Sequence, residues 1–213
     1  PGEMSLAHNG VLFLDELPEY PRSCLEILRQ PLEDGVITVS RAARTVVYPA
    51  DFMLVASMNP CPCGYYGSST HECSCTPAQI AKYLGRLWGL LMDRIDLHIS
   101  VDNVTYDDLS SDTLAESSES VRNRVNAARR IQLERFSGTD VYSNSKMNAL
   151  MIREYCKLDD ESEKLLRLAF DKLKLSARAY SRILKVARTI ADLEGSRDIS
   201  SKHLSEALTY RSM

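Results

Sequence analysis

Apolar residues come in short unbroken runs in the first half of the chain and at intervals of three and four in the second. Val11 to Leu14 is such a run, the pattern of a strand covered on both faces in a parallel sheet. In "PEYPRSCLEILRQPLEDG", Leu25, Leu28 and Leu32 recur at helical spacing and Gly35 follows as a stop, so a helix follows the strand. Two β-branched segments, Val36 to Val39 and Thr45 to Tyr48, are joined by "SRAAR" and predict a hairpin with a basic tip. "FMLVASMNP" supplies a second buried strand, stopped at Asn59-Pro60. "AQIAKYLGRLWGLLMDRIDLHISV" reads as a helical segment running into a third strand near Leu97 to Val101, with Trp88 a packing residue. Strands alternating with helices imply an α/β core.

The polar, acidic stretch after Val101 predicts a domain boundary between Asn103 and Ser118. Everything beyond it has a helical period. Helices are expected at roughly Ser118 to Phe136, Ser145 to Tyr155, Asp160 to Leu173 and Ala177 to Leu193, with a shorter one from Ser201 to Arg211. Asp160 with Glu163 fits a capping box, and Ile199 before Ser200 fits a staple onto Leu204. The expected organisation is residues 1–103 as the α/β part, 104–118 as a linker and 119–213 as an all-helical domain.

The formal net charge of -3 over 213 residues gives no global case for a nucleic-acid partner, so any such contact must come from a local basic cluster. Arg41 and Arg44 at the hairpin tip are one candidate, set against an ordinary solvated tip. Arg122, Arg124, Arg129 and Arg130 spread around a helix and read as a solvated or subunit-facing surface. No apolar run reaches transmembrane length, and no secretory signal is present, so a reducing cytoplasm is expected. The chain opens without a start methionine and reaches a strand within about ten residues, which suggests a piece of something larger.

Cysteines change the picture most. Cys61, Cys63, Cys73 and Cys75 follow C-x-C-x9-C-x-C in a loop with no hydrophobic period. Four thiolates suit a tetrahedral structural zinc, with His71 as a possible replacement ligand; the competing reading is four reduced thiols in a surface loop. Zinc is favoured, because the loop lacks the apolar residues to fold itself. Cys24 and Cys156 fall in helical segments and are expected to be buried small hydrophobes. His8, His98 and His203 show no partner spacing.

"VLFLDEL" ends an apolar strand in two adjacent carboxylates, Asp15 and Glu16. Phosphate chemistry with magnesium needs such a pair, one acid for the metal's water shell and one to polarise the attacking water. The polar Asn59 at the end of the second strand strengthens that reading, because ligands of open α/β sheets bind at the carboxyl edge.

"PGEMSLAHNGVLFLDELPEY", "LRQPLEDGVITVSRA", "VASMNPCPCG", "LLMDRIDLHI" and "LSARAYSRILKVARTIADLEG", in that order, resemble the ComM/YifB family of magnesium-chelatase-like AAA+ ATPases. The resemblance implies an incomplete AAA+ P-loop core, a parallel sheet with a β-hairpin insertion, followed by a helical lid. It implies that Asp15 sits on magnesium-bound water, that Glu16 orients the hydrolytic water, and that Asn59 is a sensor of the γ-phosphate. Arg94 resembles an arginine finger reaching into the next subunit of a ring, such as a hexamer; without the resemblance it reads as a pair with Asp93 or Asp96. Arg178, a cation in a helical first turn where the macrodipole disfavours it, resembles the second sensor that contacts nucleotide phosphates. The Walker A pattern GxxxxGK[ST] is absent from the sequence, so the isolated chain is expected to bind ATP weakly or not at all. The implied activity is ATP hydrolysis by a DNA-acting motor linked to branch migration in natural transformation. Two rivals are an ATPase subunit for metal insertion into a porphyrin and a non-enzymatic zinc-bearing interaction module.

Overall fold

The computed structural model describes residues 2–41, 44–68, 70–87, 91–101, 110 and 115–211, with only the backbone of Arg41. Trp88 and most of the expected linker 104–118 lie outside the described residues. The chain divides into two compact units, Pro1–Ile95 and Asp96–Met213.

The first unit carries α1 (Glu3–Leu6), β1 (Val11–Leu14), α2 (Arg22–Ile27), α3 (Arg29–Asp34), β2 (Val36–Arg41), β3 (Arg44–Pro49), β4 (Met53–Ala56) and α4 (Pro77–Gly85). Strands β1 and β4 pair in parallel, Val11 opposite Met53 through Leu14 opposite Ala56. Strands β2 and β3 form the expected antiparallel hairpin, from Val36 opposite Pro49 to Arg41 opposite Arg44. Leu17, Leu25, Leu28, Leu87 and Leu91 make the core, with Leu12 and Leu14 packed on it.

Three expectations need correction here. Instead of being covered on both faces, β1 leaves Phe13 58% exposed, and Val55 on β4 is 42% exposed. Alternate residues of a strand point to opposite faces, and the leucine core meets only one of them. The single helix expected across Leu25 to Leu32 is two, broken at Leu28, because the ring of Pro31 clashes with the carbonyl four residues back at Ile27. Cys24 is exposed where burial was expected.

The second unit is helical: α5 (Ser118–Arg135), α6 (Ala149–Tyr155), α7 (Asp160–Leu173), α8 (Ala177–Glu194) and α9 (Ser201–Thr209). Phe136, Met147, Ile152, Leu166, Ile183 and Leu204 are among its buried core, which includes Cys156. Leu97 to Val101 forms no strand. It has left the sheet for the helical unit: the His98 N–H donates to the Tyr210 carbonyl at 3.0 Å, and Asp96 pairs with Arg182 at 2.5 Å.

Caps explain the other shifts. Asp159, not Asp160, caps α7 by accepting from the Ser162 N–H at 2.7 Å, which leaves Asp160 and Glu163 inside the first turn. Asn148 caps α6, so the expected Ser145 to Tyr155 helix becomes a 3-10 turn, Asn144–Lys146, and a separate α6. Ser200 caps α9 with His203 as reciprocal partner, and Ile199 and Leu204 meet in the core as the staple requires.

Candidate functional site

Parallel pairing places the carboxyl ends of β1 and β4 side by side, and the ladder runs on past both. The Ser57 N–H donates to the Leu14 carbonyl at 3.0 Å and the Leu17 N–H to the Ser57 carbonyl at 3.0 Å. Asp15 and Glu16 are thereby held next to Ser57 and the segment leading to Asn59, and all of Asp15, Glu16 and Asn59 are exposed. Asp15 Oδ1 accepts the Ser57 hydroxyl and, at 3.0 Å, the Glu16 N–H. Glu16 has φ 51° and ψ 49°, a left-handed conformation that costs a residue with a side chain about 1–3 kcal/mol. The left-handed turn breaks the extended backbone directly after Asp15.

Two residues at this edge escaped the sequence reading. Ser57 was legible in principle, as a polar residue directly after a buried strand and level with Asp15. Tyr83 was not: it lies on α4, 7% exposed, near enough to this edge for the charges of Glu19 and Glu16 to act on its phenol. Burial first, then the charges of Glu19 and Glu16, push its phenol above the ordinary range.

Arg94 is in a 3-10 turn (Met92–Arg94) with its side chain 4% exposed, and its guanidinium pairs with Glu33 of α3 at 2.5 Å, not with Asp93 or Asp96. Ser176 caps α8 by accepting the Ala179 N–H at 3.2 Å, which places Arg178 exposed in the first turn. Arg44 is exposed beside the hairpin turn, opposite Arg41.

The four-cysteine loop is the second centre. Sulfurs of Cys61, Cys63, Cys73 and Cys75 all lie within 4.8 Å of one another. Three of the separations are 3.4, 3.6 and 3.7 Å, against about 3.8 Å for the edge of a tetrahedron with zinc–sulfur bonds of about 2.3 Å. The set fits zinc. His71 is not among the ligating atoms: it stacks on Tyr65 at 4.9 Å and bonds Thr70 at 3.1 Å. Backbone N–H groups support the sulfurs, with Tyr66 donating to Cys61 at 3.3 Å. The Tyr65 N–H chiefly brings the Cys63 thiol down to about 5. Burial pushes Cys75 up to about 12, the neighbouring sulfurs adding to it. Mutual repulsion among thiolates is what a divalent cation removes, so binding must displace protons and weaken as pH falls. We expect one zinc per chain after growth with zinc, lost on acidification, with the four thiols becoming alkylatable only when metal is stripped. Elemental analysis that finds no metal, with all four thiols open from the start, would contradict this.

Comparison with known proteins puts these features in company. The family described as "Magnesium chelatase, subunit ChlI" matches residues 1–109, and "Magnesium chelatase, subunit ChlI C-terminal" matches residues 115–211. Competence protein ComM of Haemophilus influenzae is 50% identical over 100% of this chain, and YifB of Escherichia coli 46% over 100%. The chain spans 41% of the length of each. The Magnesium-chelatase 67 kDa subunit of Chlorobaculum tepidum is 37% identical over 59 residues, 28% of this chain and 10% of that one.

Proposed function

Because this chain belongs to the magnesium chelatase ChlI family, in its ComM/YifB branch, we propose that it forms part of a ring-building ATPase that moves DNA. The observation that carries the reading is the shared carboxyl edge of β1 and β4, with Asp15, the left-handed Glu16 and the Asn59 segment on it. In this reading Asp15 holds magnesium-bound water, Glu16 takes the proton of the attacking water, and Asn59 senses the γ-phosphate. Magnesium and ATP supply the electrophilic phosphoryl group; the phosphate loop comes from sequence outside this chain.

Arg94 serves as the finger by exchanging Glu33 for the phosphate of a neighbouring subunit, and Arg178 meets phosphate from the first turn of α8. Both roles favour a homo-oligomeric ring, for which we propose a hexamer. Arg41 and Arg44 at the hairpin tip grip a DNA backbone by charge, without reading bases. The competence role in the ComM name supports DNA as the partner. No described helix is long and apolar enough to cross a membrane, and all six cysteines are free, which suits a reducing cytoplasm.

The second reading, an ATPase that drives metal insertion into a porphyrin, is favoured by the family description itself. One measurement separates the two: ATP hydrolysis by the full-length protein with and without branched DNA. A several-fold rise with DNA is expected; turnover indifferent to DNA would transfer the assignment to the chelatase type.

A further inference from the structure

We infer that the outer face of the four-cysteine loop receives the arginine stripe of α5 from a second copy of this chain. No Lys or Arg stands between Arg44 and Lys82. Four thiolates around one divalent ion leave the cluster negative, and the exposed Glu72 beside Cys73 adds to that charge. The loop also shows aromatic surface: Tyr65 is 42% and Tyr66 55% exposed, and the Tyr65 ring stacks on His71 at 4.9 Å. Tyr65, His71, Glu72 and Cys73 line a shallow cavity of about 360 Å³. An aromatic stack beside a carboxylate suits a guanidinium, which lies flat on rings and pairs with carboxylates. A nucleic-acid strand is disfavoured at the same place, because its phosphates would meet negative charge with no Lys or Arg to hold them.

Helix α5 offers the complement. Arg122, Val125, Arg129 and Leu133 recur at intervals of three and four, so they share one face. Val125 is 45% and Leu133 53% exposed, and Arg122 is exposed with them. Two other arginines of the helix are committed within the chain, Arg124 to Glu116 at 2.7 Å and Arg135 to Asp192. Arg129 bonds the uncharged Gln132 at 3.3 Å, and among the described residues Arg122, Arg129 and Arg130 meet no carboxylate. A stripe of such cations and exposed aliphatic residues matches a surface that is both aromatic and negative. Loop and stripe are different surfaces, so the contact is head-to-tail, the kind that runs on around a ring instead of closing a two-fold pair. The inference deepens the proposed homo-oligomeric ring, and it rests on that reading and on zinc in the cluster.

The test is sedimentation velocity of the zinc-loaded 213-residue chain over a range of concentrations, beside two variants that each disable one surface. The loop variant combines Tyr66→Ala with Glu72→Gln; the stripe variant is Arg122→Glu. The parent is expected to sediment faster as its concentration rises, and each variant alone to associate at least about tenfold more weakly. Mixing the two variants should restore a dimer and nothing larger, because one intact loop then meets one intact stripe. Stripping zinc from the parent should weaken association as the loop variant does. Zinc content and far-UV circular dichroism are checked in both variants, and Tyr66→Ala alone replaces the double variant should that one lose its zinc. A parent that stays monomeric at every concentration overturns the contact, as does association that neither variant weakens. Variants that are folded and weakened but give no dimer on mixing overturn the pairing of loop with stripe. A stripped parent that associates as before overturns the role of the cluster. Failure of the ATPase reading registers separately, as absent hydrolysis by the full-length protein with the association pattern intact.

Discussion

Glu16→Gln in the full-length protein is expected to lower ATP turnover by about 10²–10⁴-fold, the usual contribution of a positioned general base, with nucleotide binding retained. The amide keeps the size and left-handed backbone of Glu16 but cannot accept the proton of the attacking water. Phosphate release at saturating ATP, beside equilibrium binding of ATP, checks both halves. Glu16→Gly is the informative companion. It relieves the left-handed conformation, which should raise stability by roughly 1 kcal/mol, and it still hydrolyses nothing. Turnover that survives both substitutions would remove Glu16 from the reaction and leave the strand edge as a binding surface.

The largest stability effect is expected inside the helical unit, at Asp192→Ala. Asp192 is 1% exposed and collects Arg135, Arg188 and Asn144. The Arg135 guanidinium donates to one carboxylate oxygen at 2.8 Å and also contacts the other, Asn144 Nδ2 donates at 2.7 Å, and Arg188 Nε at 3.1 Å. Arg188 also donates to the carbonyls of Ser196 and Arg197 at 2.7 and 2.8 Å, tying off the end of α8. Removing the carboxylate leaves two guanidinium groups in the interior without their counter-charge, a loss of about 3–5 kcal/mol. Urea unfolding of the whole chain, followed by exchange of α8 amides, should show it. Asp192→Asn retains the shape and part of the hydrogen bonding and should lose less. If Asp192→Ala unfolds at the same urea concentration as the parent, the network contributes shape alone.

Local pattern made the strands, the hairpin, the helices of the second half and the cysteine cluster legible before any coordinates. Each of these is fixed by period, by a cap or by close sequence spacing. What stayed hidden depends on partners distant in sequence. Arg94 found Glu33 instead of Asp93 or Asp96, because α3 packs on the turn that carries it. Leu97 to Val101 has the composition of a strand, yet a strand exists only where a neighbour offers a ladder, and here His98 bonds the helical unit at Tyr210 instead. Tyr83 sits in an amphipathic helix, where an aromatic residue reads as packing, and only the fold brings its phenol under the influence of Glu19 and Glu16. Glu16 shows the limit most clearly: the pair of acids was visible in the sequence, but the left-handed backbone at the second of them was not.

The hairpin is also a mechanical part. Its paired register over six residues in each strand gives an arm of roughly 20 Å at about 3.3 Å per residue. Halfway along it is gripped by α3, where the Gln30 side chain donates to the Thr38 hydroxyl at 3.2 Å and accepts the Thr38 N–H at 3.4 Å. The same α3 carries Glu33, the seat of Arg94. From Thr38 to the tip is about 10 Å at about 3.3 Å per residue, so a tilt of α3 by roughly 10° moves the tip by about 2 Å. A disturbance too small to reshape the leucine core is thus felt at the arginine tip as a displacement of the whole hairpin end.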